Sequence, residues 1–398
     1  MRRLYAWLAE HVFPGLPRGL RARALLMFDR LVLNMMPAPR SRRGVMVLFV
    51  HGLGDMVLFT EALKLIRACH PGEPLLLVCG KGTEDYARSY LRPDRIIALD
   101  RERLARAFLY RIVAIMRVAR QQAAVAIQPS FNRFHLVEDA LVHASGADLR
   151  IGSTGSDLFI SDRERSSGDG WYTRLIPQPP RTMHDLERTA LFVAALTGRD
   201  VSPLAPRLPL PPRSPSGPAG GYFVVALDAS TPLRTWPTEN FIAALQAVAA
   251  KSALAPVVVG SDPARLLPRN PNIVDLTGKT DLEALIRVIA NADLVIANDS
   301  APTHLAIALG VPVVAVCGGG LPVRYLPYPD GAQIRGRLRV ITVDDAPWTC
   351  FGCGWRCIHI GKPDRAAPCI ADIRIARVVD EALDLLALAP RAAAPPRA

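Results

Sequence analysis

A loop with two glycines and one aspartate follows the first apolar run of the chain. The run VMVLFV occupies residues 45–50, and Gly52, Gly54 and Asp55 follow it before a helical pattern begins. A dinucleotide-binding loop would have a third glycine at position 57, where this chain has Val57. A carboxylate is also a poor neighbour for a pyrophosphate, so the pattern does not indicate a loop of that type. Asp55 is then either a carboxylate that takes part in a functional site or the N-cap of the following helix.

A larger group of polar residues lies where a buried strand turns into a helix, in LVIANDSAPTHLAIALG. The strand ends at Asn298, and the junction contains Asp299, Ser300, Ala301, Pro302, Thr303 and His304. Backbone amides at a helix N-terminus bind anions, and two hydroxyls and an imidazole can add hydrogen bonds to a phosphate. A cap formed by Asp299 or Ser300 is the alternative, but a cap needs only one residue. The polar side chains together favour a phosphate site.

Three other loops in the same half of the chain extend this candidate site. They contribute hydroxyls, a guanidinium and small residues, at Ser230, Thr231, Arg234, Gly260, Thr277 and Gly278. Arginine can hold a phosphate through two parallel hydrogen bonds, and glycine lets a ligand approach the backbone closely. The four loops predict a cradle for a nucleotide diphosphate without a lysine-containing P-loop.

The segment CFGCGWRCIHIGKPDRAAPC places four cysteines close together, at Cys350, Cys353, Cys357 and Cys369. Four thiolates in a short loop are enough for tetrahedral structural zinc, and His359 is a substitute ligand. A zinc ribbon would have a second C-x2-C pair, so redox pairing of two cysteines and an iron–sulfur cluster remain alternatives. The other three cysteines lie in apolar segments and are predicted to be core residues: Cys69, Cys79 and Cys317.

The elements that position these residues alternate between strand and helix patterns. Apolar runs at 45–50, 75–80, 95–100 and 124–128 are separated by helical patterns, and the alternation restarts at 222–227. It predicts an α/β fold with two Rossmann-like doubly wound domains facing each other across a cleft. The predicted divisions are a basic amphipathic N-terminal extension (1–43), a first domain (44–202), a Pro/Gly-rich linker (203–221), a second domain (222–388) and a disordered tail (389–398).

Composition restricts the partners and the compartment. The chain has 398 residues and a net charge of +12, which calls for nucleic acid, anionic lipid or a phosphorylated substrate. No apolar stretch is free enough of polar residues to span a membrane, and the N-terminus lacks a signal-peptide pattern. Its apolar residues interleave with arginines, as in an interfacial helix or in a helix packed on the domain. Seven cysteines without an export signal indicate a reducing cytoplasm.

Several segments occur in the order found in glycosyltransferase family 9, the ADP-heptose:lipopolysaccharide heptosyltransferase family. They are HGLGDMVLFTEALKLIRACHP, RIG (150–152), MHDLERTALFVAALTG, RTWPTENF and the segment from LTGKT to VAVCG. The chain resembles this family over residues 44–385. The resemblance implies a GT-B fold and an inverting, metal-independent transfer of a sugar, with heptose from ADP-heptose favoured, to lipopolysaccharide or another lipid-linked saccharide. We also expect no catalytic cofactor, no nucleic-acid partner, and peripheral attachment to the anionic inner face of a bacterial inner membrane.

The resemblance also assigns roles to the donor residues. Arg234 matches a lysine that steadies the diphosphate, and Asp299, Ser300 and His304 match the donor-binding segment. Arginine keeps the charge of lysine but changes a point donor into a fork. Ala301 stands where many members have glycine, which makes close backbone approach to the diphosphate less assured.

The acceptor is expected on the first domain. By the resemblance, Asp55 matches a general base, and Gly52 and Gly54 keep its loop thin so that a sugar can approach. The segment PSFNRFH offers acceptor contacts at Asn132, Arg133 and His135. Three alternative functions stay open: use of a different nucleotide sugar for surface polysaccharide or O-antigen synthesis, a sugar-nucleotide epimerase, and a non-catalytic nucleotide-binding relative.

Overall fold

The computed structural model describes residues 18–37, 41–155, 162–179, 183–211, 220–262, 271–334, 336–343, 350–360 and 364–388. The predicted tail and the linker residues 212–219 lie outside these ranges. The chain divides into two compact units. The first comprises residues 1–56, 62–181 and 187–201, and the second comprises residues 57–61, 182–186 and 202–398.

Six parallel strands form the sheet of the first unit. They are β1 (Val45–Phe49), β2 (Leu75–Gly80), β3 (Arg95–Leu99), β4 (Val125–Gln128), β5 (Leu149–Ser153) and β6 (Arg174–Ile176). Their order is β3-β2-β1-β4-β5-β6. Val45 is opposite both Leu75 of β2 and Val125 of β4. The strand order therefore reverses between β1 and β4.

The second unit repeats this topology. Its strands are β7 (Tyr222–Ala226), β8 (Ala255–Val259), β9 (Val274–Asp275), β10 (Leu294–Asn298), β11 (Val313–Val316) and β12 (Leu338–Ile341). They lie in the order β12-β11-β10-β7-β8-β9, all parallel, and Leu294 is opposite Phe223. Read from the β9 edge, this is the order of the first sheet, with the reversal between β7 and β10.

Helices form the connections between the strands. In the first half of the chain these are α1 (Arg18–Asn34), α2 (Leu53–Leu58), α3 (Thr60–Ala68), α4 (Glu84–Tyr86), α5 (Arg101–Arg106), α6 (Phe108–Ala119), α7 (Ala140–Ser145), α8 (Asp162–Ser167) and α9 (Asp185–Thr197). In the second half they are α10 (Thr238–Lys251), α11 (Leu282–Ala290), α12 (Ala301–Leu309), α13 (Pro368–Ala371) and α14 (Ile375–Leu388).

The central strands are apolar along their whole length because helices cover both faces of a parallel sheet. Every residue of β1, β7 and β10 is buried. The first core packs Met46 and Leu48 with residues such as Ile115 and Leu141. The second core includes Phe223, Ile296 and Trp236, and α14 packs onto it through residues such as Val378 and Leu385. The predicted pair of Rossmann-like doubly wound domains is confirmed.

Helix α1 packs on the first unit. Leu25 and Phe108 are buried together, and the rings of Phe28 and Phe108 meet edge to face at 4.8 Å. The Arg111 guanidinium donates to Asp29 from Nη2 at 2.6 Å, in a pair that is almost fully buried. Burial raises the pKa of Asp29, although Arg111 opposes the shift. One face of residues 18–34 therefore packs on the domain, and residues 1–17 lie outside the described ranges.

Several predicted boundaries need correction. The helical pattern that follows the glycine loop is two helices, α2 and α3, interrupted at Phe59, and the pattern between the runs at 95–100 and 124–128 is the pair α5 and α6. The predicted linker is not free in its first part, because Leu208 is buried and its N–H donates to Ala308 O at 3.0 Å.

Within the described ranges, every helix is too short or too polar to cross a bilayer.

Candidate functional site

Open sheets of this topology bind ligands outside the carboxyl ends of the two strands at which the order reverses. In the second unit these strands are β7 and β10. The loop after β7 carries Ser230, Thr231 and Arg234, and the junction after β10 carries Asp299 and Ser300. The predicted donor loops thus lie at the point where this fold places a ligand.

Arg234 links the two loops. Its Nη2 donates to the backbone oxygen of Asp299 at 2.8 Å and to Asp299 Oδ2 at 2.9 Å, while Nη1 donates to Ser230 Oγ at 3.0 Å. Its guanidinium lies 5.8 Å from the ring centroid of Tyr325 and 5.6 Å from that of Trp355. In the described part of the chain, Arg234 Nε is buried without a hydrogen-bond partner. A fixed guanidinium with an unused donor is well suited to an incoming anion.

His304 lies in the first turn of α12 and is buried. Its Nδ1 is 3.0 Å from the Tyr328 hydroxyl, whose ring stacks on the imidazole. Its Nε2 is 3.8 Å from Asp299 Oδ1, so the carboxylate of Asp299 lies between Arg234 and His304. His304 is therefore a buried member of the junction, in contact with Tyr328 and close to Asp299.

The N-terminus of α12 is not closed by a side chain. Ser300 is the N-cap residue but makes no side-chain cap bond, and its Oγ is 3.4 Å from Asn298 O. Ala301 and Pro302 begin the helix and are half-buried. Thr303, predicted to donate to a phosphate, is buried and donates to Asn298 O at 2.7 Å, so that expectation is corrected. The capping alternative does not describe this junction, since the helix terminus keeps its positive end uncapped.

Asn298 holds the junction together and was recognised in the sequence only as the end of a strand. It is fully buried, its Nδ2 donates to Leu227 O at 3.0 Å, and its Oδ1 accepts from Trp236 N at 2.8 Å. These bonds connect the ends of β7 and β10 to the start of α10. An amide at the end of an otherwise apolar strand was the available signal, because buried polar groups are kept when they are bonded.

The remaining donor residues lie at the neighbouring strand ends. Gly278 N donates to Gly260 O at 2.8 Å, which places the loops after β8 and β9 side by side. Thr277 is buried, and its hydroxyl has no hydrogen-bond partner within the described residues. Ser230 and Thr231 are exposed, and Thr231 O accepts from Thr235 Oγ1 at 3.0 Å. The loops predicted to form one cradle are therefore adjacent.

The cysteine-rich segment packs against the glycines that follow β11. All four cysteines line one small cavity together with Trp355 and His359, and Gly319 N donates to Cys369 Sγ at 3.4 Å. A Cβ at position 320 would lie 2.3 Å from the Trp355 ring, so only glycine allows this contact. Trp355 in turn faces Arg234, which connects the cysteine cluster to the donor site.

The cysteines themselves are unbonded thiols. All seven are free, so no two of the cluster are paired as a disulfide. Burial raises the pKa of Cys353 and Cys369, and the neighbouring thiols of the cluster raise it further. As the side chains stand, the described residues contain no group of three or more His, Cys, Asp or Glu that could hold a metal ion.

A cavity of about 370 Å³ lies at the carboxyl ends of β1, β2 and β3 in the first unit. His51, Gly52 and Asp55 line it from the first strand end, with Gly54 beside them in the sequence. Helix α2 begins at Leu53, so Asp55 is its third residue and the N-cap position falls to Gly52. The N-cap alternative for Asp55 therefore does not apply.

Two cations of this cavity were missed in the sequence. Lys81 directly follows β2, and Arg101 follows β3 after one residue. Arg101 Nη2 donates to Glu138 Oε1 at 3.1 Å, and its guanidinium lies 4.2 Å from the Phe134 ring centroid. Glu138 is fully buried; burial raises its pKa, and Arg101 opposes the shift. The sequence signal for Lys81 and Arg101 was their position, since any polar residue directly after a parallel strand lies at the same edge of the sheet.

The predicted acceptor contacts in PSFNRFH are placed differently. Arg133 is buried, forms ion pairs with Asp139 and Asp169, and donates to Ser153 O at 3.1 Å. Asn132 is also buried, and His135 stacks on Trp171 at 4.6 Å. We correct the prediction for Arg133, because its guanidinium is committed to structural contacts. The neighbouring Ser130 instead meets the cavity residue His51, with Oγ 2.8 Å from His51 Nε2.

Two Rossmann-like units, one with a cationic cradle and one with a carboxylate-containing cavity, are the components of the GT-B fold. The model of glycosyltransferase family 9 (heptosyltransferase) matches residues 176–339. This match covers the candidate donor residues and confirms the resemblance to family 9 over that part of the chain.

Individual relatives agree with the family match. The chain is 32% identical over 112 residues to lipooligosaccharide heptosyltransferase 2 of Haemophilus influenzae, a match that covers 26% of this chain and 32% of the relative. The chain thus spans about a third of the length of that curated relative. Among solved structures, E. coli ADP-heptose LPS heptosyltransferase II has a TM-score of 0.60 at 17% identity, covering 87% of this chain and 99% of the other.

An iron-containing structure also shares the fold. The dodecameric glycosyltransferase TibC from enterotoxigenic E. coli has a TM-score of 0.52 at 16% identity, and the match covers 88% of this chain and 80% of TibC. At these identities, the two solved structures establish the likeness in fold.

Replacing Arg234 tests the cradle. We expect Arg234→Ala to weaken the binding of ADP by about ten- to a hundredfold, because a charge-assisted hydrogen bond is lost and Asp299 is left unpaired beside the phosphates. Isothermal titration calorimetry measures this change. Arg287→Ala is the matched control, since Arg287 also pairs with a carboxylate, that of Glu283, but lies on α11. Equal affinities of the two variants for ADP would show that Arg234 does not contact the ligand.

Proposed function

We propose that the chain is an inverting glycosyltransferase that transfers a heptose from ADP-heptose to a lipopolysaccharide core or a related lipid-linked saccharide. One observation carries this proposal: Arg234, Asp299 and His304 converge beside the uncapped N-terminus of α12, at the reversal of the second sheet. The family match and the names of the relatives supply the sugar, the base and the acceptor class. The broader alternative within the family keeps the reaction and changes the nucleotide sugar.

The donor diphosphate is proposed to lie on the second unit. Positive charge from Arg234 and from the helix N-terminus offsets the negative charge that builds on the leaving diphosphate. Asp299 orients Arg234 through its carboxylate and its backbone oxygen, so the guanidinium needs little reorganisation when the donor binds. The Thr277 hydroxyl, buried and without a partner in the described structure, is a candidate hydrogen-bonding group for the nucleoside.

The acceptor saccharide is proposed to enter the cavity of the first unit. Its hydroxyl oxygen attacks the anomeric carbon of the donor sugar, the bond from that carbon to the diphosphate oxygen breaks, and ADP leaves with the electron pair. Asp55 takes the proton of the attacking hydroxyl. Lys81 and Arg101 line this cavity together with Asp55, Asp100 and Glu102, and the two cations are proposed to contact the acidic groups of a phosphorylated acceptor. Such an acceptor places the reaction on the inner face of the bacterial inner membrane.

Asp55 is the residue whose replacement separates chemistry from binding. We expect Asp55→Asn to lower kcat by about a hundred- to ten-thousandfold, because the amide cannot accept the proton, and to leave the affinity for ADP unchanged. Release of ADP in the presence of acceptor gives kcat, and calorimetry gives the affinity. Glu102→Gln is the control, since Glu102 is a second carboxylate lining the same cavity. Transfer by Asp55→Asn near the parent rate would refute the general-base role.

The four-cysteine cluster is proposed to hold one structural metal ion. The thiols share one cavity, and the Gly319 N–H already donates to the Cys369 sulfur, as backbone amides do to metal thiolates. Coordination would require the thiols to turn toward a common centre, because the described side chains as they lie form no group of three or more metal ligands. A metal would brace Trp355 against Arg234 and take no part in the chemical step.

Metal analysis of the purified chain tests this part. We expect about one equivalent of zinc or iron per chain by plasma mass spectrometry, lost in Cys353→Ser and retained in Cys79→Ser, whose thiol is buried in the first core. Loss of the metal is expected to weaken ADP binding through Trp355. A parent protein with neither metal, purified without chelator under reducing conditions, would refute the site.

A further inference from the structure

The outer face of α1 exposes large apolar side chains. Leu20, Met27 and Leu31 are 52%, 62% and 50% exposed, and Met35, just past the helix end, is 76% exposed. Spacings of seven, four and four residues place them in one stripe along the helix. Leu25, on another face of the helix, is buried against the first unit, so α1 is anchored on one side and apolar on the other.

Helix α6 adds to the same surface. Leu109 and Val113, one turn apart, are 50% and 57% exposed. Phe28 of α1 and Ile112 of α6 pack together around Leu25 and Phe108, so they fill the seam between the two helices. The exposed residues flank this seam and form what we call the α1–α6 face, which comprises Leu20, Met27, Leu31, Leu109 and Val113.

The charges on these two helices have one sign. Arg23 and Arg30 of α1 and Arg117 of α6 are exposed. The one acidic residue of α1, Asp29, is buried in its pair with Arg111, and α6 contains no acidic residue. An apolar stripe flanked by arginines, whose alkyl stems can lie along it, matches an anionic phospholipid surface better than a neutral or basic partner.

The face also lies near the candidate acceptor cavity. Arg21 Nη2 donates to Arg106 O at 2.5 Å, which fixes the N-terminal end of α1 to the end of α5. Helix α5 begins at Arg101, a residue that lines the cavity. A surface that touched lipid here would hold the cavity close to the headgroups from which a lipid-linked saccharide projects.

We propose that the α1–α6 face docks the protein on an anionic phospholipid bilayer, with the apolar side chains in the interface and the arginines at the headgroups. The evidence for this docking is independent of the proposed reaction. The docking proposal requires only the exposed apolar stripe, the positive charge of the exposed arginines on α1 and α6, and the attachment of α1 to the first unit.

Vesicle co-sedimentation of the full chain tests the proposal. We expect binding to vesicles of phosphatidylcholine with phosphatidylglycerol and little binding to phosphatidylcholine alone. Met27→Gln/Leu31→Gln should abolish most of the binding, since apolar area drives insertion. Arg23→Gln/Arg30→Gln should reduce it by about fivefold for each arginine at low salt. Glutamine keeps a good helix propensity, and circular dichroism checks that the variants fold.

The matched control is Leu204→Gln/Leu210→Gln, which removes two exposed leucines of the second unit and should bind vesicles like the parent. Equal binding by the parent and the Met27→Gln/Leu31→Gln variant would overturn the proposal. The proposal would also be overturned if the parent did not bind vesicles and light scattering showed that the parent is a dimer and this variant is not. The α1–α6 face would then join two copies of the chain. Transfer to a water-soluble acceptor fragment should be the same in parent and variant, which keeps this test separate from that of the reaction.

Discussion

The reversal of strand order in the second sheet is the constraint on which the candidate donor site depends. At a reversal, the chain leaves two neighbouring strands in opposite directions, so the space beyond their carboxyl ends is not filled by a crossover helix. In the second unit, Asn298 closes the base of that space by bonding to Leu227 O and to Trp236 N. Arg234 and Asp299 then face each other across it at hydrogen-bond distance. This buried amide fixes the separation of the two loops together with the hydrogen bonds of Arg234.

The two units use one topology for different chemistry. The second reversal gathers the Arg234 guanidinium and the His304 imidazole on either side of the Asp299 carboxylate, next to an uncapped helix terminus that favours an anion. The first unit places Asp55 in the first turn of α2, and its cavity adds Lys81 and Arg101 from the next two strand ends. A carboxylate near cations is suited to an acidic molecule that must also lose a proton. The proposed division into donor and acceptor halves follows from which side chains the strand ends of each unit carry.

The sequence predicted the architecture well because its signals are local. Apolar runs such as 222–227 and 294–299 are strands that helices cover on both faces, and Gly310 ends α12 in the left-handed region with φ of 81°. Among the site residues, Arg234, Asp299 and His304 lie together as the strand–helix junctions implied. What the sequence missed depends on tertiary packing: Tyr325, Tyr328 and Trp355 come from loops with no periodic pattern. Arg133 was misassigned because its ion pairs with Asp139 and Asp169 cannot be seen in a single segment of sequence.

The most direct test of the donor site is calorimetric titration of the intact chain with ADP, UDP and GDP. The proposed ADP-heptose donor and the cationic cradle predict that ADP binds with the highest affinity, and that binding weakens as salt screens the phosphate contacts. Preference for UDP or GDP would contradict ADP-heptose as the donor and leave a glycosyltransferase of different specificity. Failure of all three nucleotides to bind would contradict the assignment of the second reversal as a nucleotide site.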